Sequence, residues 1–174
     1  MKWFAISGSW RITNRTVRKD VMEVVKKILA QGNGIVTGGA LGVDYFAAET
    51  VLKFGNPKKQ LKVVLPIKLN KFIEHFKKRV KEKVIIRKQF KEITSQWLEI
   101  KKASPESILD ETNFQEANEE SYFARNQTII NLCNELYAFQ VNESKGVQDA
   151  INKAKAQGKI VHLKKYEIKQ EKAL

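Results

Sequence analysis

The stretch GIVTGGALGVD, from Gly34 to Asp44, is a short apolar run that breaks into a glycine turn and then opens a new pattern. It reads as a buried strand that breaks into the glycine turn. From Tyr45 to Phe54 the residues Phe46, Ala47, Thr50, Val51 and Phe54 recur at the spacing of one helical face. Between them, Thr37, Gly38, Gly39, Ala40, Gly42 and Asp44 form a loop suited to an anion. Glycines let the backbone come close, and amides at the start of the next helix point outward where the helix dipole favours negative charge. The same glycine pair would also serve a tight turn with no ligand.

Working outward, KWFAIS is a first strand closed by Gly8 and Ser9, and a helix follows from Val17 to Gln31 with Gly32 as its stop. LKVVLP is a third strand. ELYAFQV, Glu135 to Val141, is a fourth, followed by a loop at Asn142 to Gly146, a helix from Val147 to Gln157, and KIVHL as a fifth. Short buried strands alternating with helices predict an α/β fold: a Rossmann-like parallel sheet of five or more strands, covered by helices on both faces. At 174 residues the chain reads as one domain, 1–174.

Between the third and fourth strands lies an insertion, about 67–122. Phe72, Ile73, Phe76 and Val80 mark one face of a helix with Lys77, Lys78, Arg79, Lys81 and Lys83 around it. Ile67 to Lys102 is expected to be helical, as a lid or an oligomer contact. Ala103 to Glu120 carries Glu106, Asp110, Glu111, Glu116, Glu119 and Glu120 with no basic residue, and is expected to be an irregular acidic connector.

Ligands of parallel sheets bind at the carboxyl ends of the strands. Besides the glycine loop, that edge should gather Gly8, Ser9 and Arg11, the pair Arg125 and Asn126, and the loop Ser144, Lys145, Gly146. Arg125 offers a planar fork for phosphate oxygens, and Ser9 and Ser144 offer neutral donors. Trp10 and Tyr122 would either stack on bases or pack against the sheet.

The glycine loop is not a dinucleotide fingerprint, because it follows the second strand and Thr37 stands where the first glycine belongs. Lys58, Lys59 and Gln60 stand where a ribose-binding acid is expected. No Gly-Lys-Ser/Thr follows the loop, which excludes a P-loop. A lone Cys133 in an apolar run reads as a core residue, and with only His75 and His162 no metal cluster is expected. No cofactor is expected either. No apolar run approaches the about 18 residues that span a bilayer, and the N-terminus is too briefly apolar for a secretory signal. Membrane association is therefore not expected, and the chain is placed in the cytoplasm. The formal charge of +13 favours a polyanionic partner, although a lysine-rich surface alone would give the same sum.

Taken together, GSWRITNRT, VTGGALGVDYFAAE, YFARNQTIINLCNELYAFQV and the Ser144 to Val147 loop resemble the DprA/Smf proteins, in the Rossmann-like SLOG superfamily that also holds the LOG phosphoribohydrolases. The resemblance covers Trp3 to Lys68 and Tyr122 to Leu163. It implies a positively charged pocket that holds single-stranded DNA, with Ser9, Arg11, Gly38, Gly39, Gly42, Asp44, Arg125, Asn126 and Gly146 matching the family's motif positions. A homodimer through the apolar face of the insertion helix is a further implication. Glu49 stands where the family carries a histidine, and Lys145 replaces a small residue. The LOG branch implies an alternative, hydrolysis of the N-glycosidic bond of nucleoside monophosphates, with Arg125 and Asp149 as the catalytic pair. A third reading is a module that senses a small nucleotide.

Overall fold

In the computed structural model, which describes residues 1–110 and 113–169, six parallel strands form one sheet. The elements run β1 (Trp3–Gly8), α1 (Arg15–Ala30), β2 (Gly34–Thr37), α2 (Val43–Phe54), a single turn α3 (Pro57–Gln60) and β3 (Leu61–Leu65). Then come α4 (Leu69–Lys81), α5 (Arg87–Ala103), a 3₁₀ turn (Pro105–Ser107), β4 (Ile108–Asp110), α6 (Glu119–Leu132), β5 (Glu135–Val141), α7 (Lys145–Ala156) and β6 (Ile160–Tyr166). The strand order is β4-β3-β2-β1-β5-β6. The chain therefore winds outward from β1 to β4, crosses back to β5 beside β1, and winds the other way. That reversal puts the topological switch point, the usual ligand crevice of such sheets, between the ends of β1 and β5.

The alternation of strand side chains divides the core in two. Phe4, Ile6, Ile35, Val63, Leu65, Phe139 and Val141 face α1, α2, α4 and α5. Ala5, Val36, Val64, Leu136 and Ala138 face Ile129 and Ile130 of α6 and Val147, Ala150, Ile151 and Ala154 of α7. Cys133 belongs to this second layer, where burial pushes its thiol pKa up. Among the described residues no helix is long and apolar enough to cross a membrane.

The insertion departs from expectation. Phe72 and Phe76 of α4 and Ile93, Trp97 and Ile100 of α5 are buried in the first core layer, so the apolar face expected as a lid or dimer contact is already covered within the chain. Trp97 Nε1 donates to the Gly39 carbonyl at 3.0 Å and Gln96 Nε2 to the Tyr45 carbonyl at 3.0 Å, which joins α5 to the glycine loop and to α2. The acidic connector is also partly regular. Ile108 to Asp110 add a parallel edge strand to β3, because β3 presents a row of unpaired backbone groups there. Asp110 Oδ2 then accepts from the Leu69 amide at 3.2 Å at the start of α4. Glu111 lies outside the described residues.

Candidate functional site

A cavity of about 380 Å³ opens at the switch point. Gly8 ends β1 at its floor, Trp10 and Ala40 line one side, and Arg125 and Asn126 enter from α6. Ser144, Lys145 and Gly146 enter from the start of α7, and His75, Phe76 and Arg79 from α4. The sequence motifs at the ends of β1, β2 and β5 thus converge, with one exception of consequence.

Gly38 and Gly39 are buried and do not reach the cavity wall. A side chain at Gly38 would fall on the Arg125 guanidinium and Asp44 Oδ2, and one at Gly39, where φ is 68°, would meet Leu65 and Val63. The expectation that the amides of this pair stand open to an anion does not hold, because the chain supplies its own. Asp44, in the first turn of α2, accepts hydrogen bonds from the Ala40 amide at 3.2 Å and from the Gly38 amide, while the Val43 amide is taken by the Ser9 carbonyl at 3.1 Å. A carboxylate held at the positive end of a helix needs no further counter-ion. Burial nevertheless pushes the Asp44 carboxyl above the usual range, against the pull of Arg125 and these amides.

Three other expected residues do not line the cavity. Ser9 is buried, with its Oγ accepting from the Ile12 amide at 3.3 Å. Thr37 donates to the Ile6 carbonyl at 3.2 Å, tying β2 to β1. Arg11 is exposed and lies over the Trp10 ring at 5.0 Å, off the cavity wall. Glu49, at the position where a histidine was expected from the resemblance, pairs with Arg18 of α1 at 2.7 Å and with Lys53 at 2.9 Å.

Arg125 is the centre of the cavity. Its side chain is 10% exposed. Nη1 donates to the Gly38 carbonyl at 2.5 Å and stands 3.7 Å from Asp44 Oδ2, and the guanidinium lies 5.5 Å from the Tyr122 ring centroid. Its Nε is buried without a hydrogen-bond partner. A buried donor left without an acceptor costs about 1–3 kcal/mol, so this arginine is held in place at a cost the rest of its contacts must offset.

The second source of positive potential is α7. Ser144 sits at its N-cap without making a side-chain cap, and the amides of Lys145, Gly146 and Val147 have no intrahelical acceptor. Asn126 Nδ2 fixes this turn by donating to the Gly146 carbonyl at 3.1 Å and to Asp149 Oδ2 at 2.9 Å. Nothing lies within 4 Å of where a side chain on Gly146 would be, so the turn is open. Asp149 also pairs with Lys153 and does not line the cavity, which separates it from Arg125 as a catalytic partner.

Sequence reasoning missed His75, Phe76 and Arg79 as wall residues. Phe76 and Arg79 were legible only as helix face and surface charge, and nothing local says that α4 folds back over the sheet edge. Trp10 and Tyr122 are packed on the first core layer, as one of the two readings has it, and both also line the cavity.

The family model described as DNA recombination-mediator protein A matches residues 1–173. No curated protein sequence matches. Among solved structures the chain is similar to DNA processing protein A of Helicobacter pylori, described for its single-stranded DNA binding mode, at 20% identity and a TM-score of 0.65, over 98% of this chain and 66% of that one. It is similar to DNA processing protein A of Streptococcus pneumoniae at 16% identity and a TM-score of 0.50, over 92% of this chain and 58% of that one. The molybdenum cofactor carrier protein of Chlamydomonas reinhardtii shares the fold at 18% identity and a TM-score of 0.57, over 92% of this chain and 73% of that one. At such identities the likeness is one of fold, and folds of this kind carry different ligands.

Proposed function

The chain belongs to the DNA recombination-mediator protein A family, and from that premise we propose that it binds single-stranded DNA in DNA processing, with a phosphate seated between the Arg125 guanidinium and the first turn of α7. One observation carries the assignment of the phosphate seat: a nine-tenths buried arginine with an unpartnered N–H lines the same cavity as an uncapped helix N-terminus. Phosphate oxygens are the acceptors that suit both. The relative from Helicobacter pylori, described as binding single-stranded DNA, supports the choice of polymer, and the charge of +13 supports a polyanion. Lys145 at the cavity mouth and the exposed Lys77, Lys78 and Lys81 of α4 would add sequence-independent contacts along the backbone.

Binding of a labelled single strand across a salt series tests this. The logarithm of affinity should fall linearly with the logarithm of salt, with a slope of about −0.7 per phosphate neutralised. Lys145→Ala should weaken binding evenly across sequences and reduce that slope by about one phosphate's share. Absent or salt-insensitive binding would reject the proposal.

A further inference from the structure

The glycine loop is gripped from the insertion as well as from α2 and α6. Trp97 of α5 is fully buried, its ring packed on Phe72 and Phe76 of α4 at centroid distances of 5.1 and 5.2 Å. Its Nε1 donates to the Gly39 carbonyl at 3.0 Å. That carbonyl and the Ala40 N–H belong to one peptide group, and the N–H donates to Asp44 Oδ2 at 3.2 Å. Asp44 Oδ2 in turn stands 3.7 Å from Arg125 Nη1, which donates to the Gly38 carbonyl of the preceding peptide group. Indole, peptide, carboxylate and guanidinium thus form a closed circuit that ends back on the loop.

The loop's own sequence does not determine this circuit. Gly38 and Gly39 have no side chains to settle how their peptide groups turn, and Gly39 stands at φ 68°, a region that glycine enters and leaves freely. Turning the Gly39–Ala40 peptide over would take the Ala40 N–H away from Asp44. The indole opposes that turn, because it would leave a buried N–H and a buried carbonyl without partners. The indole itself has little freedom, since Ile93 and Ile100, one turn to either side of Trp97 on α5, are also fully buried.

We propose that Trp97 is a positioning residue for Arg125: through the Gly39–Ala40 peptide and Asp44, helix α5 of the insertion sets where the guanidinium points. Its effect on ligand binding rests on the phosphate seat proposed above, whereas the coupling of the two side chains does not. The insertion therefore acts on the site from a residue that never meets the ligand.

Two substitutions in α5 of the full chain separate positioning from packing. Trp97→Phe removes the indole N–H and keeps an aromatic ring in the core, while Ile100→Val trims the same helix away from the loop. In nitrogen–proton spectra recorded without ligand, the Arg125 Nε–H resonance should be displaced by Trp97→Phe and left in place by Ile100→Val. Affinity for a labelled single strand, measured well below the melting point of every variant, should fall about three- to tenfold in Trp97→Phe, the effect of weakening one hydrogen bond. It should be unchanged in Ile100→Val. Arg125→Lys reads the circuit from its other end, and does so even if Trp97→Phe fails to fold: it should displace the Trp97 indole and Ala40 amide resonances. In the Arg125→Lys background Trp97→Phe should cost no further affinity, because residues in one network do not act additively. The inference is overturned if the Arg125 resonance stays in place in Trp97→Phe or moves as far in Ile100→Val. It is equally overturned if Arg125→Lys leaves the indole unmoved, or if the two losses of affinity simply add. Resonances that move together in a protein that binds no strand would sustain the positioning role and reject the phosphate seat.

Discussion

Arg125 and Asp44 set the character of the site between them. The carboxylate accepts from the Gly38 and Ala40 amides and the guanidinium donates from Nη1 to the Gly38 carbonyl, so each fixes the other's place while the rest of the guanidinium lines the cavity. Because burial raises the Asp44 pKa in the folded state, its ionisation disfavours folding. Its favourable contribution is present below the unfolded value and is lost as pH rises through the raised folded one. Asp44→Asn should therefore gain stability relative to the parent as pH rises from acid to neutral, read as the difference in urea midpoints at each pH. A difference that is flat in pH, or of opposite sign, would show that the carboxylate is fully compensated. At this scale the sequence revealed which residues meet but not what each does. Thr37, Gly38, Gly39 and Asp44 announce an anion cradle by type and spacing. Only coordinates reveal that Asp44 folds back and fills it, because a side-chain rotamer leaves no periodic trace.

At the scale of elements, the cradle that remains open is the N-terminus of α7. Asn126 positions it from α6 through the Gly146 carbonyl and Asp149, so two helices on one face of the sheet aim a single turn at the cavity. Gly146 has open space where a side chain would go. Helical glycine costs roughly 0.5–1 kcal/mol relative to alanine, so Gly146→Ala should hold or raise stability by up to about that amount. It should still weaken single-strand binding, because the added methyl group occupies the approach to the amides. Loss of stability in a thermal melt, or unchanged binding, would contradict this placement. The β1, β2, β3, β5 and β6 strands were legible because each is a compact apolar run bounded by turn residues. By contrast, β4 is three residues inside an acidic stretch, and its strand character comes from the open edge of β3. The α4 and α5 helices were legible as helices, but their packing was not: a face of Phe72, Phe76 and Trp97 shows that something is buried without showing against what.

For the whole molecule, the winding of the sheet explains why residues as distant in sequence as Gly8, Arg125 and Gly146 share one cavity, and why an insertion of helices adds a wall to it. On the proposed reading the excess of basic residues would supply long-range attraction, and the cavity a place where that attraction becomes directed hydrogen bonding. These roles separate experimentally, since diffuse attraction is screened by salt and a buried donor is not. The central claim is that the Arg125 guanidinium and the first turn of α7 hold the phosphate. The most direct measurement is a nitrogen–proton correlation spectrum recorded while a 5′-phosphorylated single strand is titrated into the labelled protein. The account predicts that the Arg125 Nε–H resonance and the Gly146 and Val147 amides shift together and saturate with the binding curve. Saturable binding that leaves all three unmoved and shifts resonances elsewhere would contradict it.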